Sequence, residues 1–205
     1  MEETPITFEA EGLRLEGAMS LPSGARHGVV VCHPHPEYGG DMDNNVVTAV
    51  TSALGRAGVA ALRFNFRGVG ASEGRYSGAF GETADARGAL DVLAERSGLG
   101  NLVLAGYSFG AMVASLAGAE DPRVDRVALV ALPATMFDAT ELRRSPKPKL
   151  FVHGDRDQYC SIPALYELVA STAGTNEIHR VAGADHFFLG FEQECAAALV
   201  RFVTG

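Results

Sequence analysis

The spacing of apolar residues changes along the chain. Leu13, Leu15, Gly17, Met19 and Leu21 alternate with Arg14, Glu16, Ala18 and Ser20. A period of two sends successive side chains to opposite faces, so this stretch predicts a half-buried antiparallel strand, with Thr4 to Glu9 as its hairpin partner. Beyond it the alternation stops. Val29 to Cys32, Val59 to Phe64, Leu102 to Ala105, Val127 to Leu132 and Leu150 to Val152 are short continuous apolar runs, and Glu177 to Val181 is strand-like. Strands covered on both faces, as in a parallel sheet, read this way. Between the runs, apolar residues recur at steps of three and four. The series are Val46, Val47, Val50 and Leu54; Ala86, Leu90 and Leu93; Met112, Ser115 and Leu116; Ile162, Leu165, Tyr166 and Val169; and Phe188, Phe191, Cys195, Leu199 and Phe202. Each predicts a helix with one apolar face. Alternating strand and helix implies right-handed crossovers and a doubly wound, mostly parallel α/β sheet. No repeat, low-complexity segment or linker divides the chain, so a single domain over 1–205 is expected.

Composition narrows the function classes. The 205 residues are 47% hydrophobic and 20% charged, enough for a substantial core. With 17 Lys and Arg against 25 Asp and Glu, the net charge is −8, which argues against a nucleic-acid partner. The densest basic cluster, Arg143, Arg144, Lys147 and Lys149, reads as a solvated loop. The start, Met1 to Pro5, is acidic and lacks a signal-peptide pattern, and no apolar stretch approaches the length of a spanning helix. Cys32, Cys160 and Cys195 are odd in number and scattered, which suits a reducing compartment. A cytoplasmic protein with no membrane partner is expected; oligomeric state is not readable. The 24 glycines concentrate where strand patterns stop, which points to sharp turns at strand ends.

In doubly wound sheets the reactive site lies outside the carboxyl ends of the strands. Gly106-Tyr107-Ser108-Phe109-Gly110 follows the run Leu102 to Ala105 and precedes a helical stretch. This is G-x-S-x-G in the strand–helix context of a nucleophile elbow. The flanking glycines suit a very tight turn, and the Phe109 N–H at the helix start can face a developing oxyanion. A serine hydroxyl needs a base. His186 is the candidate, in the loop between Glu177–Val181 and the last helix. The base in turn needs a carboxylate to fix its tautomer. Asp157 and Asp155 both follow Leu150 to Val152, and Asp138 is a third choice. Asp157 is favoured because it stands on the loop proper. The order Ser108, Asp157, His186 is that of α/β-hydrolases.

Further residues carry the same resemblance. His33-Pro34-His35-Pro36, Gly39-Gly40, Asn44-Asn45-Val46-Val47 and Leu62-Arg63-Phe64-Asn65-Phe66-Arg67-Gly68-Val69-Gly70-Ala71-Ser72-Glu73-Gly74 follow the third and fourth strands. Over nearly its whole length the sequence resembles the α/β-hydrolase superfamily, and within it a small capless branch. The resemblance implies an eight-stranded sheet, a serine esterase, no cofactor and no metal. It places the acid in a G-x-x-D pattern, which Gly154 to Asp157 reproduces. It assigns the second oxyanion donor to the backbone N–H of His35, beside that of Phe109.

Rival chemistries are weaker. His33 and His35 with Asp41 or Asp43 could form a metal-dependent hydrolase site, but the prolines stiffen that loop. Gly68 to Glu73 nearly matches a dinucleotide fingerprint, yet Glu73 stands in place of the third glycine. Cys160 reads as an inert thiol. A non-catalytic, binding member of the same fold is the remaining alternative. The reading is therefore a serine hydrolase that cleaves small carboxylic esters through an acyl-enzyme. Tyr38, Tyr107, Met136, Phe137, Tyr159 and Phe187 either border an apolar pocket for a short acyl or aryl group or belong to the core. The short Leu132–Lys149 segment leaves no room for a cap, so an open site is expected.

Overall fold

The computed structural model describes residues 3–205; Met1 and Glu2, part of the acidic start, lie outside them. Eight strands form one sheet: β1 (Thr4–Ala10), β2 (Leu13–Ser20), β3 (Gly28–Cys32), β4 (Ala60–Phe64), β5 (Leu102–Tyr107), β6 (Val124–Val130), β7 (Lys149–Gly154) and β8 (Asn176–Val181). Six helices connect them: α1 (Asn45–Arg56), α2 (Phe80–Ser97), α3 (Phe109–Glu120), α4 (Thr140–Arg144), α5 (Ile162–Ala170) and α6 (Glu192–Thr204). The strand order is β1-β2-β4-β3-β5-β6-β7-β8. β2 pairs antiparallel with β1 and β4, and the remaining pairs are parallel. This is the α/β-hydrolase fold. Among the described residues no cap stands over the sheet, and β6 and β7 are joined through α4 alone.

The continuous apolar runs divide between two cores by strand parity. Val29 and Val31 of β3 pack on one face with Val47, Val50 and Leu54 of α1 and Leu199 and Phe202 of α6. Val30 and Cys32 face the opposite way, toward Leu90 and Leu93 of α2 and Val113 of α3. Both faces therefore bury apolar side chains, which is why these strands show no alternation. From β3 the chain crosses to β4 on one side, then returns past β3 to β5. The carboxyl ends of β3 and β5 flank this reversal, where an α/β sheet opens a crevice.

Four local expectations need correction. The last helix begins at Glu192, not Phe188, because Phe188 (φ 54°) and Gly190 (φ 82°) hold backbone angles that a right-handed helix cannot include. β6 covers Val124–Val130 and ends before Ala131, whose φ is 47°. Helix α3 buries residues nearly all round, and Met112 and Leu116, which the spacing put on its inner face, are only partly buried. Leu21 and Tyr166, also placed on apolar faces, are exposed.

Of the basic cluster, Arg143 and Arg144 are exposed at the end of α4, but the two lysines are not solvated. Lys149 is fully buried, and its Nζ donates to the carbonyls of Ser145 (2.7 Å), Lys147 (2.7 Å) and Ala173 (2.9 Å). Lys147 Nζ donates to Gly118 O and Asp121 O at 2.7 and 2.6 Å. These ammonium groups satisfy carbonyls at a helix end and in irregular loops, where no backbone donor is available. Lys149→Met keeps the apolar stem and removes the donor. It is expected to destabilise the fold by about 1–3 kcal/mol, read as a lower urea midpoint at unchanged slope.

Candidate active site

Strand β5 passes into helix α3 through a single residue, Ser108, at a φ of 55°. A non-glycine residue in such a conformation costs on the order of 1–3 kcal/mol, so its surroundings must hold it. The Ser108 N–H donates to Val130 O of β6 at 2.9 Å, and the Ser108 carbonyl accepts from Ala111 N–H at 2.9 Å. A Cβ at Gly106 would collide with the Gly110 carbonyl, and one at Gly110 with the carbonyls of Cys32 and His33. The two glycines thus let the elbow close and let the end of β3 lie directly against the start of α3.

His186 reaches the serine from the loop between β8 and α6. Its Nε2 lies 2.9 Å from Ser108 Oγ, and its Nδ1 lies 2.8 Å from Asp157 Oδ2. The other Asp157 oxygen accepts the N–H groups of Tyr159 (2.8 Å) and Cys160 (3.1 Å). Burial alone would raise the Asp157 carboxyl, but the hydrogen bond and charge of His186, with these two N–H donors, hold it below its ordinary value. An ionised carboxylate only accepts, so the proton of neutral His186 sits on Nδ1 and the Nε2 lone pair faces the serine hydroxyl. Ser108, Asp157 and His186 are brought together as one hydrogen-bonded chain. The other two carboxylates lie elsewhere. Asp138 is exposed and accepts from Thr140 at the start of α4, and Asp155 Oδ1 accepts the Gly183 N–H at 2.8 Å.

The histidine loop has no strand or helix to hold it, and side chains take over. Besides Asp155, the buried Tyr107 hydroxyl donates to the His186 carbonyl at 2.9 Å. Asn45 Nδ2 donates to Phe187 O (3.3 Å) and Glu192 Oε1 (2.9 Å). The hydroxyl of Tyr107 escaped the sequence reading, which set this residue only among possible pocket aromatics. A usable signal was present, since a tyrosine inside an otherwise apolar strand must find a partner for its hydroxyl.

The loop after β3 uses its two histidines as struts. His33 is fully buried; its Nε2 accepts the Phe66 N–H at 3.1 Å and its Nδ1–H donates to Pro34 O at 2.6 Å. Burial lowers its pKa from the ordinary 6.5 to about 4, against the opposing bond to Pro34. His35 Nδ1 accepts the Glu37 N–H at 3.2 Å, which leaves Nε2–H to donate to the Tyr76 hydroxyl at 3.1 Å. Burial lowers the His35 pKa too, outweighing the nearby carboxylates of Glu37 and Glu82. With all four ring nitrogens engaged in this way, the loop does not offer the histidine pair that a metal centre would require. Among the described residues no group of three or more His, Cys, Asp and Glu side chains is placed to hold a metal ion. The His35 ring packs 4.8 Å from that of Phe109, which brings the residues of the two expected oxyanion donors side by side. The Phe109 N–H opens α3 and so has no acceptor within the helix.

Of the other side chains expected to border a pocket, Tyr38 and Met136 are exposed, Tyr159 and Phe187 are half-exposed, and Phe137 packs partly against the core. All three thiols are buried, and burial raises each of them, Cys195 to about 12. No helix among the described residues is long and apolar enough to cross a membrane.

A serine–histidine–aspartate chain at the switch point of an eight-stranded, capless sheet defines the class. The alpha/beta hydrolase domain family matches residues 27–195, and the chain belongs to that family. It is 32% identical over 205 residues to an uncharacterized protein of Rickettsia prowazekii, covering 95% of this chain and 86% of that one. Among solved structures it is similar to an alpha-beta serine hydrolase homologue from Coxiella burnetii (TM-score 0.91, 32% identity, covering 100% of this chain and 99% of that one). It is also similar to a serine hydrolase without lid from Xanthomonas campestris (TM-score 0.87, 28% identity, covering 100% and 97%).

The buried His33 makes stability depend on pH in a definite direction. Below 6.5 the unfolded chain takes up a proton that the folded chain refuses until about 4. Stability therefore falls as pH drops through this window, by on the order of 3 kcal/mol from this residue. Urea melts at pH 7 and pH 4.5 should show a smaller loss for His33→Asn than for the native chain. Equal losses would refute the assignment.

Proposed function

We propose that this chain is a serine esterase that cleaves small carboxylic esters through an acyl-enzyme, with Ser108, His186 and Asp157 as its triad. The observation that carries the reading is the continuous chain from Ser108 Oγ through His186 to the buried Asp157 carboxylate, at 2.9 and 2.8 Å. The serine-hydrolase descriptions of the Coxiella and Xanthomonas relatives support it.

Ser108 Oγ attacks the ester carbonyl carbon while His186 Nε2 takes the hydroxyl proton. Asp157 stabilises the imidazolium that forms and keeps its ring aligned. The carbonyl oxygen becomes an oxyanion and receives the N–H groups of Phe109 and His35, that of Phe109 strengthened by the amino end of α3. When the tetrahedral intermediate collapses, the C–O bond to the alcohol breaks and His186 returns the proton to the departing oxygen. A water molecule, deprotonated by the same nitrogen, then attacks the acyl-enzyme. Collapse releases the acid and restores Ser108. The cycle consumes only ester and water and calls for no cofactor. The absence of a cap over Ser108 suits small soluble esters that enter from solvent.

With p-nitrophenyl acetate, Ser108→Ala should lower kcat/KM by at least about 10³-fold and abolish labelling by a fluorophosphonate probe. Asp157→Asn should lower kcat by about 10⁴-fold without loss of the thermal transition, because it favours the wrong His186 tautomer. Full activity in the Ser108→Ala protein would sink the reading.

A further inference from the structure

Three rings meet beside the Ser108 hydroxyl. Tyr159 stands edge-on to His186, with centroids 4.6 Å apart and planes at 65°. Phe187 stands edge-on to His186 (5.8 Å, 88°) and to Tyr159 (6.4 Å, 87°). Three planes set at 65°, 88° and 87° to one another make a corner. One wall is the imidazole that moves the proton, and the other two are aromatic and uncharged.

The core does not require those two rings. Their chain neighbours Cys160 and Phe188 are the residues that are buried, whereas Tyr159 and Phe187 remain 47% and 46% exposed. Phe188 achieves its burial through the positive φ of 54°, so consecutive phenylalanines have opposite environments. Both backbones are nonetheless pinned. The Tyr159 N–H is held by Asp157 at 2.8 Å, and the Phe187 N–H by Asp185 Oδ1 at 2.9 Å. Aromatic rings on a pinned backbone, kept half in water against His186, mark a surface with a ligand to cover.

Proton transfer decides which half of the ester lies there. His186 must face the leaving oxygen, so the alcohol half lies along the imidazole, while the carbonyl oxygen turns toward the N–H groups of Phe109 and His35. On that other side the rings gather on His35 rather than on His186, and Tyr38 is exposed there beside the carbonyl-oxygen donors. His35 packs on Tyr38, Tyr76 and Phe109 with centroids 4.7, 4.9 and 4.8 Å away. We infer that Tyr159 and Phe187 form a subsite for the alcohol half of the ester, and that this half is aromatic. The inference rests on the serine-esterase reading and adds the side and the chemistry of the preferred group.

Ring-on-ring contacts add about 0.5–1.5 kcal/mol beyond the area they bury, which converts to roughly 2- to 12-fold in kcat/KM. The test compares benzyl acetate with cyclohexylmethyl acetate, two acetates of ring-bearing primary alcohols of similar size, each rate divided by that ester's alkaline hydrolysis rate. The native enzyme should prefer the benzyl ester by about that factor. Tyr159→Leu and Phe187→Leu should each bring the ratio toward one, and Tyr159→Phe, which keeps the ring, should retain it. Ethyl phenylacetate and ethyl cyclohexylacetate, which carry the ring on the acyl half, should show no comparable preference. A native ratio near one, a ratio unmoved by both leucine variants, or a preference confined to the acyl pair would overturn the subsite. Those outcomes require an active enzyme whose Ser108 is labelled by a fluorophosphonate. Absence of both labelling and turnover would instead overturn the esterase reading, and the subsite with it.

Discussion

The contact between Gly110 and the carbonyls of Cys32 and His33 leaves no space for a single methyl group, and the geometry of the site hangs on it. Because α3 starts flush against the end of β3, the Ser108 hydroxyl and the loop that carries His35 occupy the same corner of the sheet. Gly106 performs the matching task on the other side of the elbow, where its missing side chain lets the chain double back over it. The strain in Ser108 is then carried by interior hydrogen bonds to β6 and within α3 rather than by the residue's own preference. A wider turn would move Ser108 away from the residues beside it.

The loops that complete the site are irregular, and side chains satisfy their backbone groups. Asp155 and Tyr107 fix the histidine loop, and His33 ties the loop after β3 to the start of the segment after β4. The neutral form of His33 is enforced on both sides, since one ring nitrogen must accept from Phe66 and the other must donate to Pro34. None of these three side chains belongs to the hydrogen-bonded chain of Ser108, His186 and Asp157.

Much of this was legible in the residues. The apolar runs, the helix spacing and the glycines around Ser108 are local signals, and they sufficed for the order of the eight strands and of every helix but the short α4, and for Ser108 and His186. What stayed hidden depends on distant partners. Lys149 looks like a surface lysine until the carbonyls of Ser145 and Ala173 are seen to converge on its ammonium. Phe188 and Phe191 continue the apolar spacing of α6, but positive φ angles at Phe188 and Gly190 turn them into loop anchors. Loop position already favoured Asp157 over Asp155 as the partner of His186; that Asp155 would hold the Gly183 N–H of the histidine loop depends on the fold.

The three buried cysteines have a practical corollary. Cys32, Cys160 and Cys195 lie in the interior with their thiols pushed toward the protonated form, so a thiol reagent finds little thiolate and little access in the folded chain. The native sequence thus provides a silent background for maleimide chemistry. A cysteine introduced at exposed Tyr38 or Met136 would be the one reactive thiol, and a spin label or fluorophore attached there would report the motion of that segment without any other cysteine being removed.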